Sequence, residues 1–293
     1  MSVNGLSIDV EEYFHAVNLR AAFPEAEWAR LPRRAIVGVE QSLAILARAK
    51  KKATFFVLGW VAEHEPEVVR AIASAGHEIA SHGHSHRMAQ ELGPEAFTED
   101  VRRSLELLAP LSPRPIRGFR ASTFSVTAKT WWALDRLAAL GLAYDSSIFP
   151  VRHDRYGMPA FARTPVVLEP VAGSGRRIVE LPLLTWRLFG HNLPAAGGGY
   201  LRQLPLWFTQ NALRAMNRAG EPGVLYLHPW ELDPGQPRAA PAVIGRIGHL
   251  RHYRNLDRTA ARLERLVQEF EFAPLDELVR HARPLAEPLS AVA

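Results

Sequence analysis

Residues 53–86, ATFFVLGWVAEHEPEVVRAIASAGHEIASHGHSH, hold two short apolar runs separated by a helical period. Ala53-Thr54-Phe55-Phe56-Val57-Leu58 is unbroken by charge and rich in aromatic and β-branched residues, as a strand buried on both faces requires. Pro66 opens a helix carrying Val68, Val69 and Ile72, since proline lacks only an N–H that the first helical turn leaves unpaired, and Gly76 closes it. His77-Glu78-Ile79-Ala80 is the next strand. Two buried strands joined by one helix make a parallel βαβ unit.

The alternation continues in both directions. Upstream, Leu6 to Val10 reads as the first strand, followed by Ile36, Val39, Leu43 and Leu46 at helical spacing. Downstream, Pro94 opens a helix with Phe97, Val101, Leu105 and Leu108, and Ile116 to Phe119 reads as a strand. Trp131, Leu134 and Leu137 mark a helix stopped by Gly141, and Leu142 to Tyr144 is the strand after it. Proline, glycine and turn residues dominate from Phe149 to Gly199, apart from a strand over Arg177 to Leu181; an insertion of this kind builds a substrate groove. A helix around Leu204 to Asn217, the strand Val224 to Leu227 and a helix over Leu256 to Phe270 complete the pattern. No repeat or linker interrupts it, so residues 1–293 are expected to form one α/β barrel domain with its core over about 5–280.

Composition narrows the chemistry. The 293 residues are 47% hydrophobic, enough for a large core. There is no cysteine, which excludes disulfides, a thiolate nucleophile and cysteine-ligated zinc, and leaves His, Asp and Glu as metal ligands. The net charge of +5 comes from scattered arginines; the one dense run, Arg48-Ala49-Lys50-Lys51-Lys52, reads as a solvated helix end. No basic stripe is interleaved with aromatics, so nucleic-acid binding is not expected. The start of the chain lacks a basic region followed by a long apolar stretch, and no later run is long enough to span a bilayer; the expectation is a cytoplasmic protein without a transmembrane segment.

Polar groups recur where strands end: Asp9 and Glu11, His82 to His86, Arg120, Asp145, and His228 after Leu227. In a βα barrel these ends share one face. His82 and His86, four apart, would place two imidazoles on one side of a helical turn and grip a divalent cation, with His84 pointing away. Of Asp9 and Glu11, one can hold the metal while the other takes a proton from water; Glu12 reads as a solvated neighbour. Arg120, or less directly Arg117, would orient a carboxylate, with Asp145 as a partner for Arg120 or for a histidine. His228 can protonate a leaving amine. Phe124, Trp186, Tyr200 and Trp230 are the aromatics that would bind a sugar ring or an acetyl methyl.

Together these residues resemble the polysaccharide deacetylase family, the carbohydrate esterases with a NodB homology domain, over most of the chain from Ile8 to about Leu278. The segments that look like the family's motifs are Ser7-Ile8-Asp9-Val10-Glu11, His82-Gly83-His84-Ser85-His86, Arg120-Ala121-Ser122-Thr123-Phe124 and Tyr226-Leu227-His228. The His228-Pro229-Trp230-Glu231 ending, Arg251 to Leu256, and Asp145-Ser146-Ser147-Ile148-Phe149-Pro150 are similar to the deacetylases found with exosortase and exopolysaccharide-assembly systems.

The resemblance implies a distorted (β/α) barrel in which a zinc-like ion sits on two histidines and a carboxylate. It also implies an N-acetylated polysaccharide or oligosaccharide as substrate, an aspartate as base and a late histidine as acid. The chain departs from the family's adjacent aspartate pair, because Val10 stands where the second, metal-binding aspartate would be. Glu11 becomes the expected ligand and Asp9 the expected base. Two rivals remain at this stage, a hydrolase of a small cyclic amide of the allantoin or cyclic imide type and a catalytically inactive glycan-binding relative.

Overall fold

Alternation along β1 (Asn4–Val10) organises the molecule. Leu6, Ile8 and Val10 point to one face and are fully buried, whereas Ser7 and Asp9 point to the other, and Glu11 continues that second row just past the strand. The computed structural model describes residues 2–285; the outer ends of the span expected to form one domain, residue 1 and residues 286–293, lie outside them.

The expected βα units are present. Around β1 stand β2 (Thr54–Val57), β3 (Glu78–Ser81), β4 (Gly118–Phe119), β5 (Tyr144–Asp145), β6 (Val166–Leu168) and β7 (Ile178–Glu180), with β8 (Thr185–Leu188) and β9 (His191–Pro194) forming a separate hairpin. Later come β10 (Val224–Leu227), β11 (Phe272–Ala273) and β12 (Arg283–Pro284). The main sheet runs β10-β1-β2-β3-β4-β5-β7-β6-β12, with β11 also beside β1; only the β6–β7 pairing is antiparallel. It curls into a half barrel. Helices α1 (Ala35–Ala49), α2 (Gly59–His64), α3 (Pro66–Ser74), α4 (Ala89–Leu108) and α5 (Trp132–Ala139) link the first strands. Within α4 the backbone breaks at Gly93 (φ 72°), so Pro94 does begin a new helical segment.

Three expectations need correction. The stretch 149–199 is less irregular than its composition suggests, since β6 and the β8–β9 hairpin lie in it; strands of three or four residues are too short for alternation to register. The helix expected around Leu204 to Asn217 is α7 (Leu206–Arg218), but a short helix that was not expected, α6 (Gly198–Gln203), precedes it; the two are separate because Leu204 precedes Pro205 and is held extended (φ −94°, ψ 158°). Helices α8 (Pro241–Ile244) and α9 (Arg246–Tyr253), ahead of α10 (Leu256–Glu269), were not expected. No described helix is long and apolar enough to cross a membrane.

Candidate active site

Strand order brings the ends of β1 and β3 to either side of β2, and there Glu11, His82 and His86 meet. One potential ligand atom from each lies within 4.8 Å of the others. His82 Nδ1–H donates to the Arg120 carbonyl (2.8 Å), which leaves Nε2 free to bind an ion. His86 Nε2 stands 2.5 Å from Glu11 Oε2, yet that oxygen has no hydrogen-bond partner. A buried carboxylate oxygen beside an imidazole nitrogen but without a hydrogen bond is an orphaned acceptor that a bound cation would satisfy. Burial pushes the Glu11 carboxyl up, but His86, His228 and His82 together outweigh it and hold Glu11 well below the usual carboxylate range. Burial lowers His82 to about 4. An ionised carboxylate and a neutral imidazole are the forms that a divalent cation binds, so the residues fit the ion.

The histidines do not reach this position on a helical turn, as their spacing suggests, but on an extended loop. Gly83 (φ +72°) and His86 (φ +55°) take left-handed conformations. The Asp100 carboxylate on α4 accepts the amides of His84 (2.7 Å) and Ser85 (3.0 Å), so local side-chain bonds replace helical ones. His84 turns away to Glu63 (3.0 Å). Glu12 is buried rather than solvated, because its carboxylate accepts the Arg34 and Ala35 amides at the start of α1 (2.6 and 2.7 Å).

Asp9 faces the same space and is paired with Arg120 (Nη1–Oδ1 2.7 Å). The guanidinium is fully buried and also donates to Ser7 Oγ, Ser146 Oγ and the Ser146 carbonyl, while lying 4.2 Å over the Phe56 ring. Five anchors fix its plane, and through it the Asp9 carboxylate. Arg117 is exposed and takes no part. Asp145 hydrogen-bonds neither Arg120 nor a histidine. Its row in the sheet is that of Ser81 and Phe119, whose side chains point to Ser104 and Phe97 of α4; Asp145 instead accepts from Ser147 Oγ (2.6 Å). One residue on, Ser146 points inward to Arg120.

By the same alternation, Tyr226 and His228 at the end of β10 face the pocket together. His228 Nε2 lies 3.8 Å from Glu11 Oε1, and Nδ1 meets Glu231 Oε2 at 3.1 Å. Arg202 donates to Glu231 Oε1 (3.0 Å) and to the His252 and Arg254 carbonyls, which ties the turn to α6 and α9. Burial pushes His228 down, but Glu11, Glu231 and Asp9 outweigh it and raise it to about 9. Trp230 Nε1–H donates to Glu11 Oε1 (3.0 Å) and its ring stacks on His228 at 4.8 Å. The turn sits so tightly on α1 that a Cβ at Gly38 would come 1.9 Å from the Pro229 carbonyl oxygen. Glu231 and Arg202 were given no role from the sequence. An acid three residues after a strand-end histidine was the available signal for the first; nothing local marks the second.

Residues 37–142, with His82, His86 and Arg120, match the family model for polysaccharide deacetylases. This stretch is thus similar to a polysaccharide deacetylase domain. Residues 146–280, with His228 and Glu231, match a domain of unknown function (DUF3473). A peptidoglycan deacetylase-like protein of Gibberella zeae is 32% identical over 38% of this chain and 33% of its own. A chitooligosaccharide deacetylase of Rhizobium leguminosarum is 32% identical over 25% of this chain and 34% of its own. The chain thus spans about a third of the length of these curated relatives. In fold it is similar to a crystal structure from Mycobacterium smegmatis assigned to the polysaccharide deacetylases (TM-score 0.64, 23% identity, 98% of this chain and 94% of the other). It also resembles Puue allantoinase (TM-score 0.54, 19% identity, 83% and 71%).

The pocket has a volume of about 150 Å³. Asp9, Glu11, His82, His86 and His228 line its floor, and Phe124, Tyr226 and Trp230 its apolar walls. Ala16, Val17, Asn18, Thr123, Arg155 and Tyr156 complete the lining; none was given a role from the sequence, and Arg155 and Tyr156 reach the pocket only through the tertiary packing of their loop. Tyr200 and Trp186 do not line it. Tyr200 stands one layer back, its hydroxyl 3.4 Å from that of Tyr156, and Trp186 packs on Trp207 and Phe208 of α7.

Proposed function

We propose that this chain is a metal-dependent hydrolase that removes N-acetyl groups from an amino-sugar polysaccharide, in the assembly of an exopolysaccharide. The observation that supports this is the convergence of Glu11, His82 and His86, the Asp9–Arg120 pair and His228 on one cavity. Glu11, His82 and His86 would hold the ion, zinc by its match to two imidazoles and one carboxylate. When bound, a divalent cation supplies Lewis-acid polarisation of an amide carbonyl and lowers the pKa of water.

The chain's own residues do the rest. Asp9, held by Arg120, takes the proton of the attacking water. His228, charged at neutral pH, gives its proton to the departing nitrogen, while Glu231 keeps the ring oriented. Phe124 and Trp230 flank the sugar that carries the acetamide. Residues 1–293 are proposed to work as one cytoplasmic catalytic unit.

An assay of acetate release, with zinc added, against N-acetylated oligosaccharides and cyclic ureides tests this reading. Acetate from the oligosaccharides and no ring opening of allantoin is expected; ring opening alone would replace the proposal with a cyclic amide hydrolase, and binding without any turnover would leave an inactive relative. Glu231→Gln should lower kcat by about 10–100-fold with metal content and KM little changed, since it loosens His228 without touching the ion. An unchanged kcat would remove Glu231 from the mechanism.

A further inference from the structure

Helix α9 is oriented against the usual rule for a surface helix. Its buried residues are His252 and Tyr253, whereas Ile247 is 76% and Leu250 59% exposed; Val243 of α8 is 50% exposed. Single exposed apolar side chains are ordinary. Three within eight residues, while histidine and tyrosine fill the inward positions, are not accounted for by the core. Nor is the helix loosely attached. His252 stacks on Trp230 at 4.5 Å and its nitrogens meet Asn18 (3.2 Å) and Gln236 (3.1 Å), while Tyr253 Oη accepts the Ala239 amide (2.8 Å).

Charge points to what would cover this face. Residues 234–256 contain no Asp or Glu, but they carry Arg238, Arg246, Arg251 and Arg254, all exposed. Among the described residues none of these four pairs with a carboxylate. Exposed apolar side chains in one stretch with exposed, unpaired arginines suit a membrane surface, where the apolar groups enter the acyl boundary and the cations meet anionic headgroups. A second copy fits poorly, because a two-fold contact would set the arginines against one another.

We propose that α8 and α9 dock this protein peripherally on an anionic lipid bilayer. Because His252 touches both Trp230 and Asn18 of the pocket lining, docking would hold the pocket close to the lipid surface. The docking itself does not depend on the deacetylase reading.

Co-flotation of the full chain with phosphatidylcholine vesicles, with and without phosphatidylglycerol, tests it. Binding is expected only with the anionic lipid, is weakened by salt, and falls about tenfold or more in Ile247→Glu/Leu250→Glu. Arg246→Glu/Arg251→Glu should lose binding as well, and provides a second test should the apolar pair disturb folding. Absence of binding to anionic vesicles, equal binding to neutral ones, or binding retained in both folded variants would overturn the proposal. So would a wild-type dimer, seen by sedimentation, that the same variants dissociate.

Discussion

Replacing Glu11 by alanine is expected to abolish stoichiometric metal binding and to lower acetate release by roughly 10³–10⁵-fold, the several kcal/mol that a Lewis acid contributes to amide hydrolysis. The carboxylate sits between His86 and His228 and accepts a hydrogen bond from Trp230, so removing it takes away a ligand and also the counter-charge of the part-buried His228. The apo variant should therefore unfold below the apo wild type, and the rise in Tm on adding zinc should be confined to wild type. Elemental analysis together with thermal unfolding checks both. A Glu11→Ala protein that binds zinc as wild type does would show that the ion is held elsewhere.

Asp9→Asn should separate the base from the ligand. The amide keeps the shape of the carboxylate but cannot take a proton, so metal content should stay at the wild-type level while kcat falls about 10²–10⁴-fold. It also leaves the buried Arg120 guanidinium without its counter-charge, at a cost on the order of 3–5 kcal/mol in stability. Lower Tm, intact metal and lost turnover together are the expected signature. Wild-type turnover in this variant would refute the assignment of Asp9, and loss of metal would mean that Asp9 and Glu11 had been given the wrong roles.

The βα core was legible because its strands are continuous apolar runs and its helices carry proline and glycine at their ends. Ser7, Asp9 and Glu11 could be placed on one face by alternation alone, and the same rule puts Val10 on the opposite face, in the core. His82 and His86 were found by their spacing, yet for a reason that does not apply, since Gly83 and Asp100 shape a loop where the spacing suggests a helical turn. Asp145 was misplaced by a single residue of register: at a strand end, one step decides whether a side chain enters the barrel or the helix layer.

By itself, then, the amino-acid sequence determined the strand–helix order, the absence of thiol chemistry, and a short set of strand-end residues able to bind a cation and move protons. Those properties depend on composition and local periodicity. Tertiary structure decided the rest: that Arg120 binds Asp9 and not Asp145, that Arg202 on α6 braces Glu231 behind His228, and that Tyr156 reaches the pocket while Trp186 does not. Such pairings join residues tens to hundreds of positions apart, and only the packing of the curled sheet sets which of them touch.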